Sequence, residues 1–419
     1  MIKYMHQVYG DIKLMALSFS YVAGGKMYIY RDGKTAELRS GVLESYISKV
    51  KDSAARNEWK YNGTGAAFTG TYMPNTGADD AVASVHSSVS CIGNHGGDIL
   101  YSIDIDRTNG IYRKSPSAPM SDGIVLCSGN VRYRDFDVKG DKLVTSAKFG
   151  AESNIGIYDI STKNFTTYTD GHTVDHAPVF SATDPNTVYF CSMGLPVEEE
   201  EPADDRDRPM SYSDMVNDMY APRSSQLRGP SALLSLDISS GSLYEMYADD
   251  EHDYLRPQST SDGSLYYVKR PYSSGGGVGS SFGCLVDVLL LPVRIIKALF
   301  GFLNVFSAKY SGKTLSRSNV KNKDPEKTFI DGNLINAERE LKNNERHGEK
   351  NPGIIPRSWE LRRLKPDGED VLVKSGVLAY RVNERSGDII YSNGSSIVRM
   401  TGEGKEEKLL SVPKVTFIK

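Results

Sequence analysis

The sequence predicts an all-β chain, a six-bladed β-propeller, from three observations. A hairpin pattern recurs six times, a second hairpin lies upstream of most copies, and a spare strand follows the last copy. The recurring unit is a short apolar or alternating run, a polar turn and a second run. Its copies are MYIYRDGKTAEL (27–38), YSIDIDRTNGIY (101–112), IGIYDISTKNFTTY (155–168), LLSLDISSGSLYEMY (233–247), WELRRLKPDGEDVLV (359–373) and SSIVRMTGEGKEEKLL (395–410). Gly, Asn, Asp, Ser or Lys fills each turn where the chain must reverse, and strand-favouring residues flank it. A hairpin cannot bury its faces alone, so a series of copies implies packing of each against the next.

The upstream hairpins are VRYRDFDVKGDKLVTSAKF (131–149), APVFSATDPNTVYFCS (177–192), LRPQSTSDGSLYYVKR (255–270) and VLAYRVNERSGDIIYS (377–392). They supply an inner strand A and its neighbour B, and the recurring hairpin supplies C and D. Four antiparallel strands make one propeller blade. The first copy is preceded by LMALSFSYV (14–22) without a full A–B hairpin, and the chain ends in VPKVTFIK (412–419). Pairing that last segment with the first blade would complete it and remove an open edge. The expected fold is therefore a six-bladed propeller, 1–419 as one domain, with a C-terminal strand closing the first blade and a helical insertion in the fifth.

The stretches DPNTVYF (184–190) and SDGSLYYV (261–268) resemble the turn-then-apolar-strand signature of WD40-like repeats of the TolB type. The resemblance extends over roughly two-thirds of the chain. It implies a β-propeller and says little about function. No blade shows the full signature, no TolB-like N-terminal domain precedes the repeats, and the long insertions are foreign to the compact repeat. Prolyl-oligopeptidase relatives carry propellers too, but no G-x-S-x-G elbow follows here.

Composition narrows the function classes. The net charge is −3 with 25% charged residues, so the basic surplus of a general nucleic-acid binder is missing. Cys91, Cys127, Cys191 and Cys284 form no CxxC pair. They predict separate reduced thiols, with neither a disulfide framework nor a zinc site, and no cofactor is expected. MIKYMHQVYGDIKLM at the N-terminus has no charged, apolar and small-residue succession, so a cytoplasmic location is expected.

Three long connections are expected between strands B and C, at 62–98, 193–231 and 271–357. Loops of this kind emerge on the same face as those from D to the next A, so they decorate one rim, where binding residues concentrate. VEEEEPADDRDRP (197–209) reads as a solvated acidic loop, or as a docking strip for a basic partner.

The insertion 271–357 opens on SSGGGVGSSFG (273–283) and continues as CLVDVLLLPVRIIKALFGFLNVFSAKY (284–310). Asp287, Arg294, Lys297 and Asn304 fall on one narrow helical stripe. The broad remainder carries Leu289, Leu290, Ile295, Ile296, Leu299, Phe300, Phe302, Leu303 and Phe306, while Pro292 kinks the helix or starts a second segment. The segment is long enough for a membrane span, but spanning would put the last blade across the bilayer from the rest. Three readings remain: contact with another protein, an in-plane membrane helix, or packing on the propeller itself. Arg294, Lys297, Lys309, Lys313 and Arg317 suit the anionic headgroups of the second. INAERELKNNER (335–346) reads as a short polar helix capped by Asp331 or Asn333.

Catalytic motifs are sparse. SGKT (311–314) lacks the first glycine of a phosphate loop, which is Ser307 here, and the Gly-rich run at 275–279 fails GxGxxG. His172, Asp175 and His176 in GHTVDH, with His252 in DDEHDY (249–254), are candidates for the channel mouth. Two histidines and an aspartate could bind a metal, but outside a helix the four-residue spacing loses its force, and turn residues bonding local backbone is the favoured reading. The expected function is a non-enzymatic interaction scaffold with another protein as partner. A peripheral membrane propeller and a small-ligand or metal-dependent enzyme at the channel mouth are the alternatives.

Overall fold

The computed structural model describes residues 17–61, 78–106, 108–115, 122–195, 229–272, 327–384 and 386–419. The chain is all-β, built from antiparallel meanders. The first sheet joins the two ends of the chain: β1 (Ser18–Ala23), β2 (Lys26–Arg31) and β3 (Lys34–Leu38) are flanked by β26 (Val415–Ile418), in the order β26-β1-β2-β3. Next come β4 (Ser87–His95), β5 (Asp98–Ile105), β6 (Thr108–Lys114) and β7 (Asp122–Ser128) in sequence order.

β8 (Arg132–Lys139), β9 (Lys142–Phe149), β10 (Glu152–Asp159) and β11 (Phe165–Thr167) form a third meander. β12 (Thr173–Phe180), β13 (Thr187–Gly194), β14 (Ser231–Asp237) and β15 (Leu243–Tyr247) form a fourth, joined to the third by one parallel bridge between Ser153 and Val174. β16 (His252–Ser259), β17 (Leu265–Pro271), β20 (Glu360–Leu364) and β21 (Asp370–Ser375) make a sheet interrupted in sequence by the separate hairpin β18 (Lys327–Ile330) and β19 (Asn333–Asn336). β22 (Ala379–Val382), β23 (Ile389–Ser392), β24 (Ile397–Met400) and β25 (Glu406–Leu410) complete the set. No described sheet closes on itself.

The sheets pack face to face, and each main core cluster lies between two that follow one another. Val22 and Met27 meet Ile92 and Tyr101. Leu100 and Ile111 meet Phe136 and Leu143. Val144 and Ile155 meet Val188 and Phe190. Cys191 and Leu233 meet Tyr254 and Tyr267. Val268 and Leu361 meet Val382 and Ile389, and Ala379 and Ile390 meet Phe19, Tyr21, Val415 and Ile418. The first strands of the sheets touch in the order β26, β4, β8, β12, β16, β22 and back to β26. Face-to-face packing of four-stranded meanders about an axis is the β-propeller architecture.

β26 joins β1 with Tyr21 opposite Ile418 and Val22 opposite Phe417. The amides of Ser20 and Lys419 each donate to the other residue's carbonyl at 2.8 Å. Val415 is fully buried and Ile418 nearly so.

Two sequence expectations are corrected. The hairpin at 101–112 supplies the second and third strands of its sheet, because β4 precedes it and β7 follows it. Residues 87–95 are the strand β4, and the long connection expected within that sheet at 62–98 is instead the one between β3 and β4, at 39–86. There the chain forms α1 (Gly41–Tyr61) and α2 (Ala78–Ala83). The start of α1 is held from outside the helix: Asp122 accepts the amides of Gly41 at 2.6 Å and Val42 at 3.3 Å, and Ser40 accepts that of Leu43 at 3.1 Å. The second correction concerns α3 (Ala337–Arg346), which is capped by Asn336, accepting from the Arg339 amide at 3.0 Å. Asp331 and Asn333 belong instead to the β18–β19 hairpin.

Candidate functional site

β4, β8, β12, β16, β22 and β26 line an axial cavity of about 110 Å³. Bulges shape its wall. The register shifts between Val89 and Cys91, Tyr133 and Phe136, His176 and Val179, and Leu255 and Gln258. Ala177 and Arg256 sit at two of these bulges with φ of +51° and +55°. Each is followed by a proline, Pro178 and Pro257, which has no amide to offer a ladder. Positive φ in a residue other than glycine is strained and persists only where the surroundings impose it.

Side chains stitch the inner strands together where no ladder joins them. Asp135 accepts the Ala177 amide at 3.3 Å and Asp137 that of Phe180 at 3.1 Å, tying β8 to β12. Gln258 accepts the Val382 amide at 3.0 Å and donates to its carbonyl at 3.1 Å, tying β16 to β22. The Tyr380 hydroxyl donates to the Arg256 carbonyl at 2.7 Å. Lys419 pairs with Asp137 at 2.7 Å. Arg256 donates to the Thr416 carbonyl and pairs with Asp331 at 3.2 Å.

Asp331 belongs to the hairpin inserted between β17 and β20, although those two strands pair directly, with Val268 opposite Leu361. The hairpin and α3 are rooted on the ring. Asp331 lies between Arg256 and Arg270; Arg270 also pairs with Asp253 at 3.0 Å and its guanidinium stacks over the Trp359 ring, 4.6 Å from the centroid. Ile330, Ile335, Ile355 and Trp359 bury with Leu378. Asn344 donates to the Gly353 carbonyl at 2.7 Å and the Ile355 carbonyl at 3.0 Å. Lys374 on β21 bridges Glu349 at 2.6 Å and Glu406 on β25 at 2.8 Å. Burial works against the Lys374 charge, but the two carboxylates outweigh it and raise its pKa.

The residues singled out in the sequence are placed apart. His172 is exposed and pairs with Glu152 at 2.7 Å. Asp175 is buried within β12, accepting from the Thr169 and Ser192 hydroxyls. His176 lies on the same strand at the bulge, its Nδ1 3.4 Å from the Val174 carbonyl. His252, at the start of β16, is held by Asp249, 3.0 Å from its Nδ1. The contacts of Asp175, His176 and His252 stay within their own meander or the turn that leads into it, while His172 reaches back to Glu152 on β10. Among the described residues no three His, Cys, Asp or Glu side chains are grouped to hold a metal ion.

The helix expected around 289–306, with Arg294 and Lys297, and the basic residues Lys309, Lys313 and Arg317 fall outside the described residues, as do the acidic run 197–209 and Cys284. Among the described residues no helix is long and apolar enough to cross a membrane.

Arg256, Arg381, Asp135, Asp137 and Lys419 were not singled out in the sequence. One signal was available: Ala177-Pro178 and Arg256-Pro257 recur at the same place in two inner strands.

No family model and no curated protein matches the chain. Among solved structures it is similar to TolB from Acinetobacter baumannii, at 10% identity over 96% of this chain and 65% of that one, with a TM-score of 0.46. It is also similar to the tricorn protease, at 12% identity over 96% of this chain and 35% of that one, TM-score 0.42. Oligogalacturonate lyase from Vibrio parahaemolyticus aligns at 10% identity over 77% of this chain and 79% of that one, TM-score 0.36. The chain thus spans less than two-thirds of the length of the first two. The likeness is one of fold, and the β-propeller architecture rests on the chain's own sheet order and core clusters.

Proposed function

We propose that this chain is a six-bladed propeller closed by its C-terminal strand, and that it works as a non-enzymatic interaction scaffold whose partner is another protein. The blade count is supported by the cyclic contacts of the inner strands and by the succession of core clusters between neighbouring sheets. Antiparallel alternation supports one side for the connections β3–β4, β13–β14 and β17–β20.

The observation that carries the scaffold reading is the footing of the segment between β17 and β20. It leaves one strand, returns to that strand's direct neighbour, and is anchored near its return by two arginines, a buried asparagine and a lysine shared by two carboxylates. Such a footing seats the described return of the insertion, 327–357, on the propeller. The unpaired thiols Cys91, Cys127 and Cys191 support a reducing, cytoplasmic setting.

The test replaces 273–326 by a short Gly-Ser linker and compares co-purifying proteins from the native host. The expected result is a ring that melts as before and loses its stoichiometric partner. Retention of that partner would overturn the scaffold reading. Flotation with anionic liposomes, abolished by Leu299→Asp, would replace it by the membrane reading.

A further inference from the structure

We propose that the axial cavity binds a small carboxylate, received by the guanidinium of Arg381. Arg381 lies on β22 and lines the cavity. The neighbouring charges are already used. Lys419 holds Asp137, Arg256 holds Asp331, and Asp135 takes the Ala177 amide. Among the described residues the Arg381 side chain makes no hydrogen bond and no ion pair, while its backbone sits opposite Ile390 in the β22–β23 ladder. Its backbone neighbours Tyr380 and Val382 are fixed by Arg256 and Gln258, so the guanidinium is presented from an anchored strand.

A half-buried guanidinium with no acceptor among the described residues has its N–H groups open to a ligand entering the cavity. Burial holds the Arg381 pKa below the ordinary arginine value, with Asp137 and Glu384 only partly offsetting it. A planar carboxylate satisfies two of its N–H groups at once. Charge selects the ligand further. One negative charge compensates Arg381, whereas a phosphate dianion would bring excess charge against Asp135 and Asp137 in the same wall. The cavity, about 110 Å³, limits the occupant to a few heavy atoms beyond the carboxylate. The lining residues all lie outside 273–326, the segment on which the scaffold test acts, so the two proposals fail independently.

The probe is acetate, titrated against the full chain at constant ionic strength with chloride as the balancing anion and phosphate as a second arm. Thermal unfolding midpoints should rise with acetate in the wild type, as ligand linkage requires, and not with phosphate. Arg381→Gln should weaken the acetate effect about ten- to a hundred-fold, the loss typical of a charge-assisted bidentate contact, and Arg381→Lys should restore part of it. Without ligand, Arg381→Gln should melt no lower than the wild type, because it removes an uncompensated charge. An acetate response equal in Arg381→Gln and wild type, a phosphate response matching that of acetate, or no response in the wild type would overturn the proposal.

Discussion

Asp122 shows how a single side chain joins distant parts of the chain. Its carboxylate is fully buried and receives the Tyr101 hydroxyl, two amides of α1 and the Lys114 ammonium, 3.2 Å away. Burial, with the Asp122 carboxylate, pushes the Tyr101 hydroxyl pKa far up. Asp122→Ala would remove the acceptor shared by the Tyr101 hydroxyl, the Lys114 ammonium and two amides at the start of α1. The expected loss is about 3–5 kcal/mol, read as a lower urea midpoint. Asp249 makes a second prediction. Burial pushes its pKa up, but the Tyr254 hydroxyl, His252 and the amides of Glu251 and His252 prevail and hold it at about 2, below the usual 3.8. A carboxylate depressed in the folded state stabilises above its unfolded pKa, and that stability is lost as pH falls through the folded value. Stability should therefore decline between about pH 4 and pH 2, and Asp249→Asn should flatten part of that decline in urea titrations at successive pH values. The sequence pointed to His252 here because histidine stands out in a turn. The acceptor that organises the turn is the aspartate three residues earlier, and only the fold shows how many donors converge on it.

At the scale of elements, alternation and turn chemistry made most strands legible. The hairpins at 131–149 and 377–392 contain β8–β9 and β22–β23, and those at 177–192 and 255–270 cover most of β12–β13 and β16–β17. The slip at 101–112 has a physical cause. A two-residue period describes the second and third strands of a sheet as well as the third and fourth, so periodicity cannot fix a hairpin's place. The helix cap slipped for a related reason, because Asp331, Asn333 and Asn336 are all competent caps and tertiary pairing assigned the first to a hairpin turn. The foot of the insertion offers a sharp test at this scale. Gly353 lies so close to the Asn393 backbone carbonyl that a Cβ would clash with it. Gly353→Ala should cost about 1–3 kcal/mol and speed proteolysis near 351–357, leaving the ring folded. Wild-type proteolysis in that variant would mean that the foot is not seated there.

The whole molecule is a series of sheets whose neighbours bury each other's faces, so its integrity depends on the join between its ends. β26 contributes Val415 and Ile418 to the core shared with β22–β25 and covers the edge of β1. Truncation after Ser411 should lower the melting temperature steeply and promote association, measured by circular dichroism and size-exclusion chromatography. The strand that pairs with β1 was legible as a spare run. The axial wall was not, because Asp137, Arg256, Arg381 and Lys419 come from different sheets and become neighbours only when the series bends into a circle. Hydrogen exchange tests that circle most directly. Amides of 17–23 and 412–419 should exchange as slowly as those of the interior strand β9, and deletion of 412–419 should release 17–23 well before β9. Rapid exchange of both end segments in the intact chain would contradict a ring closed by its last strand.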